Sequence, residues 1–211
     1  MTFSLGEVEA VARKAARGAG YSWGMAEEAG RAARWLCAAG LDGAGLLAEA
    51  LAAADGTDPA ELAPRALDDW RGPSGRLCPL MAGAALSDAV AFWKETGVTM
   101  AGVTVPALVL PFAAMAARAS GANVTVRWAD VTAVTDGRAL SLCGAANLPT
   151  GPADVSVSAG GAMTAPLAAR TRATPRAEDW AALNALAART YAPATEESRM
   201  KGAGAGLTDN D

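Results

Sequence analysis

The period of the apolar residues changes at Gly97, and that change most restricts what this chain can fold into. Before it, apolar positions recur at helical spacing; after it, strand-like stretches alternate apolar and polar residues with a period of two. Leu5, Val8, Ala12, Ala15 and Ala16 mark one face of a helix expected over about 5–17, with Ser4 as its N-cap. Gly18 and Gly20 are expected to end it, Tyr21 to fill the corner, and Ser22 to cap a second helix over 23–39 closed by Gly40. Further helices are expected over 45–54, after Asp58-Pro59, over 84–95, and over 176–191 with Thr174 as cap and Pro175 at the first position.

Beyond Gly97, "VTMAGVTV" and "LVL" read as strands, and Pro111 begins a helix that stops at Gly121. "NVTVRWADV" places Val124, Val126 and Trp128 on one side and Thr125 and Arg127 on the other, so it needs one covered and one wet face. Asp136-Gly137 is a hairpin signal, and "DVSVSAG" offers one more alternating strand. The expected fold class is α+β: an N-terminal helical hairpin and a C-terminal helix packed on a mainly antiparallel sheet. One domain is expected over 1–211, with 195–211 as a mobile tail.

Composition narrows function more than fold. Hydrophobic residues make up 52% of 211 and charged residues 19%, as in a globular protein, and the net charge of -4 provides no basic field for nucleic acid. Glu7 and Glu9 break up any secretory leader, and Pro106 and Pro111 interrupt the apolar run from Gly97 to Ala117, so no membrane span is expected. Cys37, Cys78 and Cys143 form no CxxC pair; a reducing cytoplasm accounts for them, with burial expected for Cys37 and Cys143. Histidine is absent, which removes Ser-His-Asp and Cys-His catalysis and histidine metal sites. Cys78, beside Arg76, therefore has no base, and no metal site and no particular cofactor is indicated.

The break "GAGYSWGMAEEAG" carries the one cluster worth testing as a site. Lys14 and Arg17 end the first helix, the free amides near Ser22 start the second, and Arg31 lies three and four residues from Glu28 and Glu27. The expected site is a cationic wall of Lys14, Arg17 and Arg31 around Tyr21 and Ser22, with Glu27 or Glu28 orienting the arginine and a carboxylate or phosphate as ligand. Gly24 and Gly30 each cost a helix about 1 kcal/mol relative to alanine, so either close helix packing or a ligand over bare backbone must compensate.

The stretches "KAARGAGYSWGMAEEAGRAARWL" (14–36), "CPLMAGAALSD" (78–88) and "RTYAPATEESRMKGAGAGLTDND" (189–211) resemble an uncharacterised alphaproteobacterial family of similar length, a domain of unknown function. The resemblance implies that the tail belongs to the domain and lays Arg199 and Lys201 over its body, which adds Arg199 to the ligand set. It carries no reaction. Residues 4–45 also resemble the N-terminal helical hairpin of malate and lactate dehydrogenases that lack the usual dinucleotide fold. Those enzymes place a histidine where this chain has Asp42 to Ala44, so hydride transfer is not expected.

Two functions of different kind fit: binding of a small anionic metabolite, with or without catalysis, and a non-catalytic subunit or assembly role through alanine-rich helices. Six tryptophans, among them Trp35, Trp70, Trp93 and Trp180 as interface anchors, lead us to expect a homodimer.

Overall fold

A computed structural model describes residues 1–144 and 148–191. The chain opens with a short strand β1 (Phe3–Ser4) that runs into helix α1 (Leu5–Gly18). A capping box sets the start of α1: the Glu7 N–H donates to Ser4 Oγ (3.2 Å), and the Ser4 N–H donates to Glu7 Oε2 (2.7 Å). Helix α2 (Trp23–Ala38) begins where Ser22 Oγ accepts the Met25 N–H at 3.3 Å. The two helices lie against each other, and Val8, Ala12 and Ala15 of α1 and Ala26, Ala29 and Ala33 of α2 are all buried. At Gly30 the helices are so close that an added Cβ would lie 2.9 Å from the Glu9 carbonyl oxygen.

Helix α3 (Gly43–Ala54) is capped by Asp42, whose Oδ1 accepts the Gly45 N–H at 2.9 Å, and a 3-10 turn follows at Pro59–Leu62 with Asp58 as cap. The helix expected over 84–95 instead starts at Pro79 and is broken: α4 spans Pro79–Asp88 and α5 only Val90–Trp93. Ala89 leaves helical geometry between them, and the Trp93 indole N–H donates to the Leu86 carbonyl at 2.8 Å, tying α5 across the end of α4.

Strand β2 (Val98–Val103) follows, but "LVL" is not a strand. Pro106 lacks the N–H a sheet ladder needs, and the run folds into a 3-10 turn (Pro106–Val109) that leads directly into α6 (Leu110–Ser120). An uninterrupted apolar run gives no period to choose by, and here burial on all sides suits the helix. Gly121 closes α6 in left-handed geometry.

Strands β3 (Val124–Trp128), β4 (Val131–Thr135), β5 (Leu140–Cys143) and β6 (Ala153–Ala159) join β2 in a five-stranded sheet, order β2-β6-β3-β4-β5, antiparallel throughout. The Asp136 turn is a four-residue connection in which Asp136 Oδ1 accepts the N–H groups of Arg138 (2.7 Å) and Ala139 (2.8 Å). One face of the sheet carries Val98, Val157, Val126 and Ala133 in register, and α6 packs against its β3 and β4 strands. The other carries Ser156, Arg127, Thr132 and Cys143, as the alternation of β3 requires.

Strand β7 (Arg172–Ala173) pairs with β1, a two-stranded sheet that the sequence did not reveal, and α7 (Ala177–Ala188) ends the described chain. Arg176 occupies the N-cap position of α7, so Pro175 lies just outside the helix rather than at its first position. The α+β class is as expected, with α1, α2 and α7 flanking the sheet. Helix α6 lies directly on β3 and β4 of the five-stranded sheet, whereas α1 and α2 meet the small sheet and α7 lies on α1 and α3. Phe3 and Trp180 stack at 4.0 Å between centroids, joining β1 to α7. Trp70 and Trp93 are buried and so cannot serve as interface anchors. Among the described residues no helix is long and apolar enough to cross a membrane. The tail 195–211 lies outside the described residues.

Candidate functional site

Gly18 determines what stands beside the α1–α2 corner. A Cβ there would fall 1.8 Å from the Leu186 carbonyl oxygen, so α7 can lie on the last turn of α1 only because position 18 has no side chain. That contact brings Arg189 and Thr190 next to Arg17, Gly18, Gly20 and Trp23, and these six residues line a cleft of about 380 Å³.

Arg17 donates from Nη1 to the Tyr21 carbonyl and lies over the indole of Trp23, 4.9 Å from its centroid. The carbonyl and the ring fix the guanidinium at the mouth of the cleft. Trp23 is 68% exposed although it is a large aromatic at the first position of a helix. One turn earlier, Lys14 Nζ stands 5.5 Å from the centroid of Tyr191, another exposed ring. Arg189 forms a two-pronged pair with Asp55 at 2.7 and 3.0 Å, and that guanidinium holds the Asp55 carboxyl below the usual carboxylate range. Among the described residues, neither Lys14 nor Arg17 has a carboxylate partner.

Several residues expected at this site lie elsewhere. Tyr21 is buried, 1% exposed, with its hydroxyl 3.1 Å from Cys78 Sγ, so its ring is core and only its carbonyl serves the cleft. Ser22 is exposed but engaged in capping α2. Glu27 turns to Arg13 across the hairpin (3.0 Å). Arg31 pairs with Glu28 (2.9 Å), and both line a separate groove of about 530 Å³ with Arg34, Trp35, Phe112 and Arg118. The geometric reason is the length of α2: eight residues carry Arg31 two turns beyond Trp23, past the reach of its side chain. Arg199 lies outside the described residues.

The two helical glycines resolve differently. Gly30 is explained by its contact with α1, whereas nothing lies within 4 Å of where a Cβ on Gly24 would sit, beside Trp23. Close packing accounts for the first and leaves the second over open space.

Sequence reasoning missed Arg189, Thr190 and the aromatic role of Trp23. Gly18 was the available signal: it reads as a helix terminator, yet it is a helical residue that admits a neighbouring backbone.

Nucleophilic chemistry finds no support in the thiols. Burial pushes the Cys78 thiol up, the Tyr21 hydroxyl and the amides of Met81 and Leu80 only partly opposing it, and Cys37 is raised by burial as well. Cys143, expected to be buried, is exposed at the end of β5, because the alternation of that strand turns it to the open face with Thr132. Among the described residues no cluster of carboxylates and thiols is arranged to hold a metal.

Residues 3–78 match the model of a family described as "Protein of unknown function (DUF3726)". The match contains α1, α2 and α3 and ends at Cys78, so Lys14, Arg17 and Trp23 lie inside it and Arg189 outside. No curated protein and no solved structure matches the chain.

Proposed function

We propose that this protein binds a small carboxylate or phosphate ligand in the cleft between the α1–α2 corner and the end of α7. The observation that carries the reading is Arg17: a guanidinium held by the Tyr21 carbonyl and the Trp23 ring at the mouth of a cleft, with no carboxylate partner among the described residues. Its remaining N–H donors suit a planar or tetrahedral anion, and Lys14 adds positive charge in a protein whose net charge is negative. No residue here is assigned a catalytic step. The exposed Cys143 thiol fits a reducing cytoplasm, where we place the protein.

The test is a thermal-shift panel of small carboxylates and phosphates on the full chain, since a ligand that binds only the folded state stabilises it in proportion to RT ln(1 + [L]/Kd). At least one anion should raise the melting temperature, and the double variant Lys14→Ala/Arg17→Ala should abolish the rise. A panel with no response, or a response unchanged in the double variant, removes the proposal.

A second reading, association with another copy, rests on a different cleft. Leu67 and Phe92, both exposed, stand together on a cleft of about 500 Å³ whose floor is the buried Trp70 and Trp93. Exposed apolar side chains gathered in one place are where a homodimer contact belongs. Sedimentation at tens of micromolar should then show a dimer that Phe92→Ser dissolves; a monomer at that concentration removes this reading.

A further inference from the structure

We infer that the groove between α2 and α6 is a second ligand site, one that takes an amphiphilic monocarboxylate: an acid head on Arg118 and an apolar tail along Trp35 and Met115. The groove shares no residue with the Arg17 cleft, so this site stands or falls independently of the reading above.

The groove follows from two helical stripes. On α2, Glu28, Arg31, Trp35 and Ala38 recur at steps of three and four residues, and on α6 Phe112, Met115 and Arg118 do the same, so each set lies along one side of its helix. The space they line is about 530 Å³, within the roughly 300–1,000 Å³ of small-molecule sites. Its apolar lining is incompletely covered. Phe112 is buried, but Trp35 and Met115 are only half-buried, and the small side chains of Ala32 and Ala38 on either side of Trp35 leave the groove its depth.

Charge selects the head group. Arg31 is matched by Glu28 at 2.9 Å and Arg34 by Glu9 at 2.7 Å, all four in this groove. Arg118, the remaining charged residue of the lining, has no carboxylate partner among the described residues. The stem of Arg118 is held in place: its Cγ lies so close to Gly137 that a Cβ there would stand 2.4 Å away. Three arginines against two glutamates leave one positive charge over. Glu28 Oε2 is buried and accepts no hydrogen bond, so an acid is repelled from that pair and its place is at Arg118, whose planar fork suits a carboxylate. A small inorganic anion would use the guanidinium and leave Trp35 and Met115 wet, and an uncharged apolar molecule would leave Arg118 unmatched. An acid with a hydrocarbon tail engages both, and the flexible thioether of Met115 adapts to the shape of the tail.

The test titrates the full chain by calorimetry with octanoate, octylammonium and acetate, below micelle-forming concentrations. Octylammonium keeps the tail and reverses the charge, and acetate keeps the head alone. Octanoate should bind at least about tenfold more tightly than either, and Arg118→Gln should weaken it at least about tenfold. Arg118 is exposed and makes no ion pair among the described residues, so the variant should melt as the wild type does. The methyl resonance of Met115, assigned by its loss in Met115→Leu, should shift on addition of octanoate and stay in place on addition of acetate, a response that a purely structural role for the methionine does not give. Equal affinity of octanoate and octylammonium, octanoate binding that survives in Arg118→Gln, or no octanoate binding at all overturns the inference and leaves the Arg17 site to its own panel. Octanoate binding lost in Lys14→Ala/Arg17→Ala and kept in Arg118→Gln places the acid in the Arg17 cleft, which overturns the groove site and supports the other.

Discussion

Replacing Gly18 by alanine tests the contact that assembles the cleft. In α1, alanine would add up to about 1 kcal/mol of helix propensity. Against this, its Cβ would lie 1.8 Å from the Leu186 oxygen and 2.8 Å from the Leu186 carbon, both backbone atoms that no rotamer change can remove. A carbon–oxygen contact needs about 3.3 Å, so α7 must retreat by about 1.5 Å or α1 must unwind its last turn. Overpacking of this kind costs about 1–3 kcal/mol, and rigid backbone on the opposing side puts Gly18→Ala at or above the upper end. The expected net loss is about 2 kcal/mol, a fall in melting temperature of roughly 4–8 °C for a chain of this size. Gly24→Ala is the control with the opposite sign: the same propensity gain meets open space, so that variant should melt at the wild-type temperature or up to about 4 °C above it. Urea and thermal denaturation of the two variants measure both numbers. If Gly18→Ala were as stable as the wild type, α7 would not lie on α1 as described, and Arg189 would have no reason to stand beside Arg17.

Three further expectations concern other parts of the molecule. In the folded protein an aromatic disulfide reagent should modify one thiol quickly, Cys143, and reach Cys37 and Cys78 only on unfolding; three fast thiols would contradict the burial of the latter two. Tyr21→Phe should cost about 0.5–1.5 kcal/mol in urea denaturation by removing the hydroxyl that meets Cys78, and no loss would mean that the contact contributes nothing. A histidine-free chain should show no change of stability between about pH 6 and pH 8, then weaken in acid. Asp55, Asp69, Asp136 and Glu7 all have folded pKa values lowered from 3.8 or 4.5, so their contributions are complete above those values and are lost as pH falls through the lower folded ones. A denaturation midpoint that moved between pH 6 and pH 8 would contradict this, and Asp136→Asn should flatten part of the acid limb.

The local rules were legible wherever a period or a cap spoke for itself. Ser4, Ser22 and Asp58 cap as their sequence contexts imply, Gly121 closes α6, and the alternation of Val124, Val126 and Trp128 sets the covered face of β3. Uniformly apolar "LVL" had no period, and Pro106 settled it as helix. The pairing of Phe3 with Ala173 joins residues far apart in the chain across two-residue strands, too short to carry any pattern. The cleft was half legible for a related reason. Lys14, Arg17 and the Ser22 corner are neighbours along the chain, so spacing located them; Arg189 arrives through a helix–helix contact at Gly18, which a sequence shows only as a small residue. Arg31 and the glutamates were placed by spacing on α2 itself, which left Glu27 or Glu28 as partner; Arg31 meets Glu28, Glu27 meets Arg13, and Arg31 and Glu28 lie away from the corner.

The central claim is that Arg17 holds an anion. Calorimetric titration of the full chain with the small carboxylate or phosphate that raises its melting temperature most, repeated with a folded Arg17→Ala variant, tests it most directly. Loss of the guanidinium should weaken binding at least about tenfold, near 1.4 kcal/mol, with the melting temperature of the unliganded protein unchanged. Equal affinity in the two proteins, with the fold preserved, would contradict the account.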